Sequence, residues 1–400
     1  MALVLAVWAL MAPARAEQAA SPEVPLILIS IDGFRWDYLN RGVSPNLSAL
    51  AAAGVRAERM LPSFPSITFP NHYTLVTGLY PDHHGVISNS FEDAAAPGGV
   101  FHMSSKDEAW WDEATPLWVT AERQGVRTAT EFWPGSEAAI HGVRPGHWEP
   151  FSQSKSGDRR VDSLLAWLDL PADQRPSFLT LYFDAVDTGG HLFGPDAEAT
   201  NKAIASTDAS IGRLLDGLKA RGITANLIVV SDHGMAAVSP ERTVLLDDII
   251  DATAMHVVFA DAVSGIDVPD TDTGRAAEAR LLAPHDHMTC WKKARIPARL
   301  HYGSNPRVPD VVCMAEVGWM IETKAEQARH HFRILGEHGY DNADPRMGAL
   351  FIANGPAFKT GVVIPPFPNV DVYPLMTRVL GIKGEPNDGD LSGVKAALVR

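Results

Sequence analysis

ANLIVVSDHG, residues 225–234, is the stretch whose reading decides the fold. Its strand-like part is apolar at successive positions instead of alternating, so both faces of the strand must meet protein. That is the condition inside a parallel sheet sandwiched between helices. It then stops at Ser231-Asp232-His233-Gly234, a polar and ionisable end. The same figure occurs twice upstream: VPLILISID (24–32) runs into Asp32-Gly33, and PSFLTLYFDAVD (176–187) ends on an acidic residue. GALFIANGPAF (348–358) supplies a late strand followed by a turn. Helix-like segments lie between. SPNLSALAAAGVRA (44–57) predicts a helix with Ser44 as N-cap, Pro45 at the first helical position and Gly54 as the stop. ATNKAIASTDASIGRLLDGLKARG (199–222) reads as a long amphipathic helix. Strands alternating with helices predict an α/β fold. Ligands of such sheets bind in the crevice beyond the strands' carboxyl ends, where these ionisable residues fall.

Working outward, residues 24–235 form the first part of this core and 336–400 the last. Between them, 236–335 differs in texture: its strands are short (TVLLDDI, MHVVFADAV, DVVCMAEV), and 283–309 is rich in His, Pro, Arg and Lys. We read it as a smaller α+β subdomain inserted before the final core elements. The segment AAAPGG (94–99) reads as a flexible loop. Cys290 and Cys313, with no CxxC pair between them, either close a single bridge or stay as two thiols. At the start, the apolar run 3–12 followed by Ala14-Arg15-Ala16 reads as a signal peptide spanning 1–16, which predicts an exported protein, periplasmic or secreted. No later apolar run reaches membrane-spanning length, so stable membrane insertion is not expected. The net charge is −14. That field repels nucleic-acid polymers, yet a bound cation can reverse it locally for a small anionic substrate.

Five separated clusters hold the chemistry: Ile31-Asp32-Gly33, Thr68-Phe69-Pro70-Asn71-His72, Asp187-Thr188-Gly189-Gly190-His191, Ser231-Asp232-His233-Gly234, and His338-Gly339. A single Asp at a strand end is ordinarily a turn or cap residue. Taken together, however, the clusters place carboxylates, imidazoles and a hydroxyl at loops and strand ends, the ligand mixture zinc accepts. ISIDGFRWDYL (29–39), SITFPNHYTLVTGLYPDHHGVISN (66–89), PLWVTAERQG (116–125), FWPGS (132–136), LYFDAVDTGGHLFGP (181–195), LIVVSDHGM (227–235) and HGYDN (338–342) resemble the nucleotide pyrophosphatase/phosphodiesterase family of the alkaline phosphatase superfamily. The resemblance covers most of 25–385 and is looser over 236–335.

The resemblance implies an alkaline-phosphatase-like core, a central mixed, mostly parallel sheet flanked by helices. It implies two Zn2+, one held by Asp187, His191 and His338, the other by Asp32, Asp232 and His233 beside Thr68. It implies Thr68 as nucleophile and Asn89 as a donor to a phosphate oxygen. The substrate would be a small nucleotide or nucleotide-like phosphodiester, its base held by Phe69 and Phe151, with Tyr182 at another nucleotide-pocket position. The chemistry agrees with the residue types: a threonine hydroxyl is a weak nucleophile until a metal stabilises its alkoxide, and paired metals suit an in-line displacement. Trp110, Trp111, Trp118 and Trp133 are expected to pack, and His72, His83, His84 and His102 to be structural or surface residues. A sulfatase would need Cys or Ser in a C/S-x-P-x-R run, which Thr68–His72 is not. A phosphomonoesterase would want a guanidinium on its dianion, and none is apparent near Thr68, although the position of Arg35 is open. A choline-headgroup phosphodiesterase remains a further alternative. A non-catalytic binding protein is disfavoured because every candidate ligand is intact.

Overall fold

The structure, a computed structural model, describes residues 24–252, 255–329 and 334–399. The expected leader, 1–16, lies outside them. The central sheet has eight strands, in the order Val362–Ile364, Val55–Ala57, Phe351–Asn354, Asn226–Val230, Leu26–Ile31, Phe178–Phe183, Thr128–Glu131 and His147–Trp148. All pairings are parallel except the two made by Phe351–Asn354, which runs against both neighbours. The sheet is therefore mixed and mostly parallel, as predicted.

The unbroken apolar runs have a simple cause. Along Leu26–Ile31, Leu26 and Leu28 join one buried cluster while Ile27, Ile29 and Ile31 join another on the opposite face. Ile228 and Val230 separate from Leu227 and Val229 in the same way. One face is covered by helices Pro45–Ala53, Gly157–Leu168 and Glu198–Ala220, the other by Thr68–Thr77, Leu117–Arg123 and Val372–Leu380. Among the described residues no helix is long and apolar enough to cross a membrane.

The start of helix Pro45–Ala53 departs from expectation. Ser44 makes no capping hydrogen bond; its hydroxyl is buried without a partner. The carboxylate of Asp208, on the long helix Glu198–Ala220, accepts instead from the backbone N–H groups of Asn46 (3.1 Å) and Leu47 (2.8 Å). A charged acceptor from a neighbouring helix satisfies the free amides better than a local hydroxyl does, and ties the two helices together.

Within 236–335 the strands His256–Phe259, Val263–Asp267, Val311–Ala315 and Met288–Lys292 form a separate four-stranded antiparallel sheet, and helix Asp272–Leu281 belongs to the same region. The chain leaves through Ala236–Ala237 and returns through Gly336–Glu337, and these two short segments pair antiparallel. Cys290 and Cys313 face each other across adjacent strands and form a disulfide. Of the two readings the sequence left open, the bridge is the one found.

Candidate active site

Strand ends and helix starts converge at one edge of the sheet. Asp32 follows strand Leu26–Ile31, and Asp232 and His233 follow the adjacent strand Asn226–Val230. Asp187 is not at the end of its strand. It lies in the first turn of helix Ala185–Phe193, which puts His191 one turn on, on the same face. His338 comes right after the returning segment Gly336–Glu337. Thr68 opens helix Thr68–Thr77.

Two glycines permit the convergence. Gly33 has φ +66°, and a Cβ there would lie 2.9 Å from the Asp187 Cα. A Cβ on Gly336 would lie 2.3 Å from the Gly190 carbonyl oxygen, too close to exist. Both positions let backbone approach the helix carrying Asp187 and His191.

Three imidazoles are oriented in the same manner. His191, His233 and His338 each use Nδ1 against a backbone carbonyl: Gly336 at 2.8 Å, Gly234 at 2.9 Å and Ser66 at 3.0 Å. A carbonyl only accepts, so Nδ1 of each ring holds a proton, and it is Nε2 that is left facing inward, as a lone pair whenever the ring is neutral. These Nε2 atoms meet carboxylate oxygens that are also acceptors. Asp187 Oδ1 lies 3.4 Å from His191 Nε2 and 3.6 Å from His338 Nε2, and the two Nε2 atoms are 3.2 Å apart. On the other side, His233 Nε2 is 2.9 Å from Asp232 Oδ2, 3.5 Å from Asp32 Oδ1 and 3.3 Å from Thr68 Oγ1. Asp32 Oδ1, Asp187 Oδ1 and Asp232 Oδ2 are all buried without a hydrogen-bond partner.

Lone pairs crowded this closely repel unless a cation lies among them. Neighbouring ligand atoms of a tetrahedral zinc with bonds of about 2.0–2.1 Å are separated by roughly 3.3 Å, close to the spacings seen here. The spacings fit metal ions, and the ligand atoms lying within 4.8 Å of one another group as Asp187, His233 and His338; His191, Glu337 and His338; and Asp32, His72 and Asp232, so Glu337 and His72 stand among the expected ligands. The electrostatics agree. Burial and the charges of Asp232 and Asp187 push the Asp32 carboxyl well above its usual range. Burial opposes protonation of His191, yet Asp187 and Glu337 push its imidazole up to about 10. The site holds surplus negative charge that calls for positive charge. His233 and His338 stack at 3.6 Å, so the two expected ligand sets abut.

A cavity of about 460 Å³ opens over Thr68. Phe69, Phe151 and Tyr182 all line it. Phe69 packs on Phe101 and Trp111, whereas Phe151 is half exposed, with its edge contacts to Phe132 and Tyr182. The Tyr182 hydroxyl donates to Asp32 Oδ2 at 2.6 Å, binding the cavity wall to the candidate ligands. Asn89 accepts the Phe69 backbone N–H through Oδ1 at 2.9 Å, which leaves its amide N–H groups as the remaining polar function.

Several residues have roles in the site that the sequence did not single out. His72 is fully buried inside the site: Nδ1 lies 2.9 Å from the Thr68 carbonyl and 3.4 Å from Asp232 Oδ2, and Ser30 Oγ is 2.8 Å from Nε2. Trp111 and Trp133 are packed as expected but also form cavity wall. Lys106 and Glu137, an ion pair in the wall, carried no signal beyond ordinary surface charge. Glu337 is buried beside His191 and was masked by its neighbour His338. Arg35 is committed to Asp37 and to the Met235 carbonyl.

The model of the type I phosphodiesterase / nucleotide pyrophosphatase family matches residues 26–341. The chain belongs to this family. A Schizosaccharomyces pombe protein described as an uncharacterized pyrophosphatase/phosphodiesterase is 41% identical over 384 residues, spanning 92% of this chain and 79% of that protein. A Xenopus laevis bis(5'-adenosyl)-triphosphatase is 40% identical over 376 residues, 93% of this chain and 81% of its own length. Among solved structures, human ectonucleotide pyrophosphatase/phosphodiesterase 5 superimposes with a TM-score of 0.89 at 33% identity, covering 94% of this chain and all of that one. An inactive form of the murine protein, solved in complex with AMP, gives 0.88 at the same identity and coverage. Family and relatives are phosphodiesterase/pyrophosphatase hydrolases, and the candidate metal clusters lie at the site such chemistry would use.

Proposed function

We propose that the protein is a two-zinc nucleotide pyrophosphatase/phosphodiesterase that cleaves phosphodiester or phosphoanhydride bonds of small nucleotides and releases nucleoside 5'-monophosphates. The observation that carries the proposal is Thr68 Oγ1 at a helix start, 3.3 Å from His233 Nε2, on the floor of a cavity walled by Phe69 and Phe151. Asp187, His191 and His338 would hold one ion; Asp32, Asp232 and His233 the other. When bound, the pair would lower the pKa of the Thr68 hydroxyl and offset charge on the attacking and departing oxygens.

Thr68 gives up its hydroxyl proton to solvent as Oγ1 forms the new bond to phosphorus; the bond to the departing oxygen breaks, and that oxygen keeps the electron pair, leaving a nucleotidyl-threonine. Water then adds to phosphorus, losing one proton to solvent, as the bond to Thr68 Oγ1 breaks and Oγ1 takes a proton back, which frees the monophosphate. The Asn89 amide, pinned by the Phe69 N–H, donates to a phosphoryl oxygen. Phe69 and Phe151 stack on the base. Among the described residues, the cavity wall includes one cation, Lys106, paired with Glu137, and no guanidinium. This favours a monoanionic diester over a dianionic monoester. The leader-like segment 1–16 further supports action outside the cytoplasm, in the periplasm or beyond, which fractionation of the native host would check.

The test compares wild type and Thr68→Ala on thymidine 5'-monophosphate 4-nitrophenyl ester, 4-nitrophenyl phosphate and a choline phosphodiester. The nucleotide ester should be strongly preferred, and Thr68→Ala should lower kcat at least ~10³-fold, as loss of a covalent nucleophile does. Preference for the monoester would make the protein a phosphatase, and preference for the choline ester a headgroup phosphodiesterase. Full activity of Thr68→Ala would remove this site from consideration.

A further inference from the structure

Phe151 is the exposed member of the aromatic walls, on a loop with no regular structure between Trp148 and helix Gly157–Leu168. Something must hold that loop over the cavity. Its own N–H donates to Glu137 Oε1 at 3.1 Å. The rest of the restraint comes from a residue outside the cavity wall, Arg160, in the first turns of helix Gly157–Leu168 and only 3% exposed. Its guanidinium donates from Nε to the Lys155 carbonyl at 2.9 Å and from Nη2 to the Ser152 carbonyl at 3.3 Å, spanning the loop immediately after Phe151. Nη1 donates to the Tyr182 carbonyl at 2.9 Å and pairs with Asp184 Oδ1 at 2.7 Å. The same group lies against the rings of Phe132 and Phe151, 5.2 and 5.8 Å from their centroids.

We propose that Arg160 is a positioning residue for substrate specificity: it clamps the Phe151 loop to the end of strand Phe178–Phe183 and so sets the width of the base-binding slot. This rests on the nucleotide reading above. Only a planar fork with several fixed donors can bridge a strand end, a carboxylate and two loop carbonyls at once; a lysine ammonium keeps the charge but cannot span them. With the clamp loosened, Phe151 is free to leave the slot. Base binding then weakens, while Thr68 and the candidate metal ligands stay in place, since the Arg160 guanidinium bonds instead to the Lys155, Ser152 and Tyr182 carbonyls and to Asp184.

The experiment measures kcat and KM of the metal-loaded protein on two esters sharing one leaving group: thymidine 5'-monophosphate 4-nitrophenyl ester and the baseless methyl 4-nitrophenyl phosphate. Arg160→Lys should raise KM for the nucleotide ester by about 5-fold or more with kcat within about 2-fold, and leave kcat/KM on the baseless ester unchanged. In a Phe151→Ala background the same change should add nothing, because the side chain it positions is gone. Equal losses on both esters, or an undiminished Arg160→Lys effect without Phe151, would overturn the proposal. If Phe151→Ala alone leaves the nucleotide KM unchanged, the base-slot reading itself fails and takes the clamp with it. Should Arg160→Lys not fold, a paired Arg160→Gln, Asp184→Asn variant removes the clamp without leaving a buried unpaired charge, and the same comparisons apply.

Discussion

At the scale of single residues, His72 and His84 show how alike two histidines of one segment look in sequence and how differently they are used. His72 braces the Thr68 carbonyl and Asp232; His84 has nothing to do with the site. His84 is fully buried, its Nε2 is 3.0 Å from Thr74 Oγ1 and 3.2 Å from the Pro70 carbonyl, and its Nδ1 accepts the Val86 N–H at 3.2 Å. Both nitrogens are engaged by a neutral ring, and burial lowers its pKa from 6.5 to about 3. The unfolded chain therefore takes up a proton near pH 6.5 that the folded chain refuses. His84 should cost the fold up to about 1.4 kcal/mol per pH unit as pH falls below that value, until its folded pKa is reached. Denaturant unfolding of wild type and His84→Gln between pH 7 and pH 4 would measure this. The variant should show a shallower decline by close to one proton, and parallel curves would mean that His84 is protonated inside the fold. Neither role was legible in PNHYTLVTGLYPDHHG, because a histidine's partners here lie across the sheet or on another turn.

Elements are anchored by contacts that local signals do not carry. The Ser-Pro start of helix Pro45–Ala53 was legible, but its cap comes from Asp208, which stands on the apolar face of the long helix with Ile204 and Ile211, where no local signal names its partner. Asp208 is 1% exposed and also accepts from the Asn46 side chain at 2.9 Å. Asp208→Ala should lower stability by about 1–2 kcal/mol, the upper range for a lost cap, whereas Ser44→Ala should change it little. Thermal unfolding of the two variants decides the point; a larger loss from Ser44→Ala would restore the local cap. Helix Ala185–Phe193 is a second case. The sequence reading ended a strand at Asp187; it is the helix beginning at Ala185 that sets Asp187 and His191 one turn apart on the same face.

For the whole molecule, two interventions separate scaffold from site. Removing metal with a chelator should abolish activity and lower the thermal midpoint, because Asp32, Asp187 and Asp232 then lie buried together with only a protonated imidazole such as His191 to offset them. Each ion would restore ~4 kcal/mol when free metal is ~1,000 times its dissociation constant. Re-addition of zinc should recover both readouts, and a midpoint indifferent to chelation would argue against resident ions. Replacing Cys290 and Cys313 by serine should cost about 2–4 kcal/mol by releasing the bridged loop. Turnover of a small diester should stay near wild type, since no residue of the bridged strands lines the cavity. A parallel loss of turnover would show that the inserted sheet supports the site.

What the sequence by itself determined is the layered sheet and the roster of candidate ligands. Strands such as Leu26–Ile31 must be apolar on both faces to lie between helix layers, and a motif such as Ser231-Asp232-His233-Gly234 must stand at the strand's end because a buried run cannot accommodate it earlier. Both are local consequences of burial. Tertiary structure alone decided which groups meet: His338 beside His191, brought there by the close passage of Gly336 against Gly190; His72 beneath Thr68; Asp208 on a distant helix start; Arg160 behind Phe151. Sequence periodicity encodes how deeply a side chain is buried, but the partner it finds depends on strand register and helix packing between segments far apart in the chain.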